Sequence, residues 1–78
     1  MNVTDRLRQK LVDAGFDVSG RDDVSLAAFA WYAGKAVKTV RNTLHQGRWP
    51  RSELVGGNRR FKIEAIVRWE FDRIEKAA

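Results

Sequence analysis

The residues with the most chemistry to offer lie between Lys35 and Arg51, a stretch that contains no carboxylate. Within it Val37, Val40 and Leu44 recur at helical spacing and form a ridge to be buried. Lys35, Lys38, Thr39, Arg41, Asn42, His45 and Gln46 are then left facing solvent, with Arg48 just beyond. Lysine presents a point charge to a phosphate, and the arginine fork pairs with guanine. Asparagine and glutamine pair with adenine. A helix bearing such groups fits the width of the major groove of B-form DNA. An ordinary solvated helix face mixes glutamate with lysine, and this one does not. A second set, Arg59, Arg60 and Lys62, follows Gly56-Gly57-Asn58. A hairpin tip with so little bulk can enter or straddle a minor groove, where arginine is favoured by the negative potential.

The charge distribution agrees. The 78 residues hold 15 Lys and Arg against 10 Asp and Glu, for a net charge of +5. Residues 1–24 carry four bases and five acids, residues 25–63 eight bases and one acid, and residues 64–78 three bases and four acids. All the excess sits in the middle segment, at net +7, and this concentration favours a polyanion as partner. Other chemistry finds few residues to carry it. There is no cysteine, and His45 is the only histidine. Ser19, Ser25 and Ser52 lie in no activating motif, and Gly56-Gly57 lacks the surroundings of a phosphate loop. No catalytic residue, enzyme activity, cofactor, metal or small-molecule ligand is expected. No apolar run approaches the roughly 18 residues of a membrane span, and the N-terminus has no h-region. The expected compartment is the cytoplasm.

The elements that must position these residues are mainly helical. A first helix is expected from Thr4 as N-cap to Gly15, with Leu7, Leu11 and Ala14 on one stripe and Val3 as a staple. Phe16 should fold back on it, and residues 16–23 read as a loop. Ser25 caps a second helix, Leu26 to Ala33, with Leu26, Phe29, Ala30 and Ala33 inward. Gly34 breaks it, and the small Ala30 allows a close helix crossing. A third helix is expected from Ala36 to Gln46, stopped by Gly47 and Pro50. Leu54-Val55 and residues 59–63 make a hairpin in which Phe61 and Ile63 face the core and Arg60 and Lys62 point outward. A last helix from Glu64 to Lys76 buries Ile66, Trp69, Ile74 and Phe71. Trp49 should pack under the hairpin root, and Trp31 and Tyr32 against the first or last helix. The chain is expected to fold as one unit: an N-terminal helix and loop, 1–24, packed on a DNA-binding domain, 25–78.

The order of these features resembles the winged helix-turn-helix of phage excisionases, AlpA-like prophage regulators and the DNA-binding domain of MerR proteins. The matching residues are Ser25-Leu26, Phe29-Ala30, Gly34, Lys38-Thr39-Val40-Arg41-Asn42, Gly47-Arg48-Trp49-Pro50, Arg59-Arg60-Phe61, Ile66 and Trp69. The resemblance spans about 45 of the 78 residues. It implies that the second motif helix lies in a major groove, through Lys38, Thr39, Arg41 and Asn42. It also implies that the hairpin contacts the adjacent minor groove or backbone, through Arg59, Arg60 and Lys62. It further implies a phage or mobile-element protein: an excisionase that bends attachment-site DNA with an integrase as partner, or a small promoter regulator. An interaction module using the basic face is a more distant reading. The last helix has no sustained heptad, so a solution monomer is expected that self-associates cooperatively on DNA. The near-neutral first and last helices are left for those contacts.

Overall fold

Ser25 closes one element and opens the next. Its backbone is extended, at φ −72° and ψ 163°, and its hydroxyl accepts the Ala28 N–H at 3.1 Å. This is the side-chain cap expected at a helix start. The computed structural model describes residues 3–18 and 20–77, for 75–77 the helical backbone alone; Ser19 lies outside them. Helix α1 spans Val3–Asp13, strand β1 Asp23–Ser25, helix α2 Leu26–Ala33 and helix α3 Val37–Thr43. A 3-10 turn, Leu44–Gln46, extends α3. Strands β2, Ser52–Val55, and β3, Asn58–Lys62, lead into helix α4, Ile63–Ala77. The described residues thus form a mostly helical chain with a three-stranded antiparallel sheet in the order β1-β3-β2.

Two helix ends follow from glycine. Gly15, at φ 96°, and Gly34, at φ 72°, each take the left-handed conformation that ends a helix. In each case the next N–H reaches back to the last turn, Phe16 to the Leu11 carbonyl and Lys35 to that of Ala30, both at 2.9 Å. Several expectations need correction. Thr4 is not the N-cap, because α1 already includes Val3, and the capping position falls outside the described residues. The third helix is shorter than expected, because its last turn tightens at Thr43 (φ −117°, ψ 10°). The tip is Gly56 and Gly57, both at positive φ, and Asn58 already belongs to β3. Residues 16–23 are not all loop, since Asp23 begins β1, which pairs with β3 at Asp23–Lys62, Val24–Phe61 and Ser25–Arg60. Three residues are too few to show alternation, so only the partner strand reveals this one.

One core gathers both ends of the chain. Leu7 and Leu11 from α1, Val18, Val24, Ala28, Phe29, Ala30, Val40, Phe61, Ile63 and Ile66 are all buried together. Phe29 is the centre. Phe61 stacks on it with ring centroids 4.5 Å apart, and the edges of Trp69 and Trp49 meet it at 5.3 and 5.9 Å. Such arrangements suit the aromatic quadrupole. Phe71 and Ile74, expected inward, are 52% and 60% exposed, because α4 runs past the end of the core. Trp31 packs on Phe16 at 5.9 Å, lines a shallow pocket with Lys10 and Asp13 of the first helix, and is 48% exposed.

Tyr32 ties α1 and α4 to α2. Its hydroxyl donates to the Glu70 carboxylate, and Lys10 Nζ lies 5.7 Å from its ring centroid. Burial, then the hydrogen bond to Glu70 and its negative charge, hold the phenol well above its ordinary pKa. A group whose folded pKa is raised contributes stability that is present below its unfolded pKa and lost as pH rises towards the folded value. Melting temperature should therefore fall above about pH 10, the unfolded tyrosine value. Tyr32→Phe should melt lower at neutral pH but decline less steeply above pH ~10. Parallel alkaline slopes for the two proteins would exclude this origin.

Candidate nucleic-acid interface

α3 is held from beneath by Val40 of its apolar ridge and by polar contacts of Thr43, Trp49 and Trp69 that sequence patterning does not distinguish. Val40 is fully buried. The Thr43 hydroxyl donates to the Thr39 carbonyl at 2.6 Å and accepts the Trp49 indole N–H at 2.7 Å. The Trp69 indole N–H donates to the Arg48 carbonyl at 2.8 Å. Two tryptophans thus satisfy their polar edges while fixing the path from α3 to β2, and Pro50 on that path is buried. Lys38, Thr39, Arg41 and Asn42 are exposed on α3, Lys35 just before it, and His45 in the 3-10 turn. Arg48 is exposed, donates to Gln46 Oε1 at 2.6 Å and lies over the Trp49 ring at 5.7 Å.

The hairpin sorts its cations onto two faces. Ladder partners share a face and alternate residues swap faces. Leu54 stands opposite Arg59, on the face of β3 that carries buried Phe61. Glu53 stands opposite Arg60, on the other face with Lys62. Arg60 does not project freely to solvent as expected. Its Nη2 and Nε donate to Asp23 Oδ1 at 2.7 and 3.2 Å, and Nη2 also reaches the Asp23 carbonyl at 3.3 Å. β1 supplies this carboxylate, and because a three-residue strand has no visible period the pairing is not legible in the sequence. Lys62 is exposed on the same outer face, opposite Asp23.

Between α3 and the hairpin runs an open groove of about 1210 Å³. Of the expected site residues it gathers Arg41, His45, Arg59 and Arg60. Lys35, Lys38, Thr39, Asn42, Arg48 and Lys62 do not line it. Two arginines that were not singled out do: Arg21 and Arg51. Arg51 ends the acid-free stretch, and that signal was available. Arg21 lies in a net-acidic segment and reaches the groove only through the fold. Among the described residues five arginines line the groove and no carboxylate does.

A second groove, of about 700 Å³, lies across the ridge formed by Gly47 to Arg51. Arg68 and Arg73 of α4 come here beside Arg48 and Arg51, with Glu64 and Asp72 among them, and Arg73 stacks over Trp69 at 4.5 Å. The last helix is therefore not remote from the basic surface. Elsewhere, a cleft of about 300 Å³ lies between α1 and α4, with Phe71 and Ile74 in its lining beside Arg6, Lys10 and Glu70. No group of three or more His, Asp or Glu among the described residues is placed to hold a metal ion. No helix of the described chain is long and apolar enough to cross a membrane. No protein-family model, curated protein or solved structure matches the chain.

Proposed function

We propose that this protein binds double-stranded DNA sequence-specifically through a winged helix-turn-helix, with α2 and α3 as the helix pair and the β2–β3 hairpin as the wing. The observation that carries the reading is the groove lined by five arginines and no carboxylate, flanked by the exposed polar face of α3. A polyanion neutralises such a surface, and the helix supplies groups that discriminate base edges. In this arrangement Lys35 and Lys38 meet phosphates, while Arg41 and Asn42 read bases. Thr39 and His45 border the same major groove. Arg59, Arg51 and Arg21 hold the backbone or minor groove beside the wing, and Arg60, tied to Asp23, braces the wing.

The resemblance supports a narrower role, an excisionase that bends attachment-site DNA in the service of an integrase, with a small promoter regulator using the same surface. The exposed Phe71 and Ile74 at the α1–α4 cleft supply a surface for contacts between neighbours on DNA.

The test begins with duplexes selected from a random-sequence pool by the whole chain. Arg41→Ala and Asn42→Ala should each cost about 1–3 kcal/mol on the selected site and less on random DNA. Arg59→Ala should weaken binding to both about equally. If the α3 variants reduce selected and random binding alike, α3 is not the reader.

A further inference from the structure

We infer that the wing tip is an apolar wedge: Leu54 and Val55 enter the minor groove, unstack one base step and kink the duplex. The inference rests on the DNA-binding reading above and goes beyond it. Hairpin tips are ordinarily polar. Here the last two residues of β2 are a leucine 63% exposed and a valine 54% exposed. Nothing bulky stands beyond them, because the turn is Gly56-Gly57, with φ 57° and 82°. Positive φ at both central residues is what a tight two-residue hairpin turn requires. The tip therefore carries no side chain beyond Leu54 and Val55 on its β2 side.

The surroundings select the occupant. Leu54 and Arg59 share the face that looks onto the groove, and Leu54 and Val55 line that groove with Arg21, Arg41 and Arg51. Glu53 shares the opposite face with Val55, beside Arg60, and does not line the groove. Arg21, Arg41, Arg51 and Arg59 beside two apolar side chains favour a polyanion over a second copy of a chain with net charge +5. Proteins that kink DNA from the minor groove combine the same two components, cations for the backbone and an apolar side chain between base steps.

The experiment uses the duplex selected by the whole chain, with 2-aminopurine placed at successive steps and a dye at each end. The wild-type complex should show a rise in 2-aminopurine fluorescence at one step and a bend of about 20–90°. Leu54→Ser with Val55→Ser, at saturating protein, should lose both while circular dichroism shows the fold retained. A mismatch at the unstacked step should tighten wild-type binding by about tenfold, because the unstacking cost is already met, and should leave the double variant unchanged. A wild-type complex with no fluorescent step, or a double variant that keeps the kink, overturns the wedge. So does a change in the sedimentation of the free protein on Leu54→Ser, which would assign the tip to a second copy. A wild-type chain that binds no duplex at low salt overturns the DNA-binding reading itself, a result visible before any kink is measured.

Discussion

Raising monovalent salt from about 50 to 200 mM should weaken duplex binding by about 500-fold. The cations available to phosphates are those in no ion pair among the described residues: Lys35 and Lys38 next to and on α3, and Arg21, Arg51 and Arg59 along the groove. Arg60 is excluded from the count because Asp23 already neutralises it, and Arg41 is reserved for base contact. If these five each displace a counterion, log K falls against log salt with a slope of about −4.5. The formal charge of residues 25–63, net +7, overstates what DNA meets, since it includes Arg60. Titrations of one duplex at four or five salt concentrations measure the slope. A value shallower than about −2 would mean that the groove does not engage a phosphate backbone. Restoring Arg60 to solvent with Asp23→Asn should steepen the slope by about one counterion, which separates its contribution from the rest.

Phe29→Ala should destabilise the fold by about 3–5 kcal/mol, the usual cost of removing a fully buried aromatic ring. For a chain this short that loss equals most of the stability a single small core supplies. Phe29 has no exposed surface and touches Phe61, Trp49 and Trp69, so its loss removes contacts from the sheet, the turn after α3 and α4 together. The effect is functional as well as structural. Trp49 and Trp69 hold Thr43 and the Arg48 carbonyl, and through them the geometry between α3 and the hairpin. Urea unfolding at neutral pH should show a molecule already partly unfolded without denaturant. Leu54→Ala, at an exposed position, should change stability by no more than about 0.5 kcal/mol. A Phe29→Ala protein within about 1 kcal/mol of wild type would displace this residue from the centre of the core.

How much of this was legible in the chain depends on the range of the interaction. α2 could be placed from Ser25 to Gly34 because a cap hydroxyl and a left-handed glycine act within four or five residues. The exposed face of α3 could be read from Val37, Val40 and Leu44, since helical periodicity is local and subtraction leaves the polar residues. The alternation along β3 correctly put Phe61 inward and Arg60 outward, because neighbouring side chains in a strand alternate whatever they pair with. The sequence by itself thus determined the helices around the site, the hairpin and the concentration of positive charge. It did not determine which cations remain free. Arg60 meets Asp23 from 37 positions away, and β1, which brings that carboxylate, is too short to show a period of its own. Arg21 joins the arginines of the groove, and Arg68 and Arg73 join Arg48 and Arg51, only once the core has closed. Phe71 and Ile74 share the apolar character of Ile66 yet remain in water, because the core ends before the helix does. Charge and apolarity are properties of a residue, but pairing and burial depend on what the folded chain places beside it, and only the tertiary structure decides that.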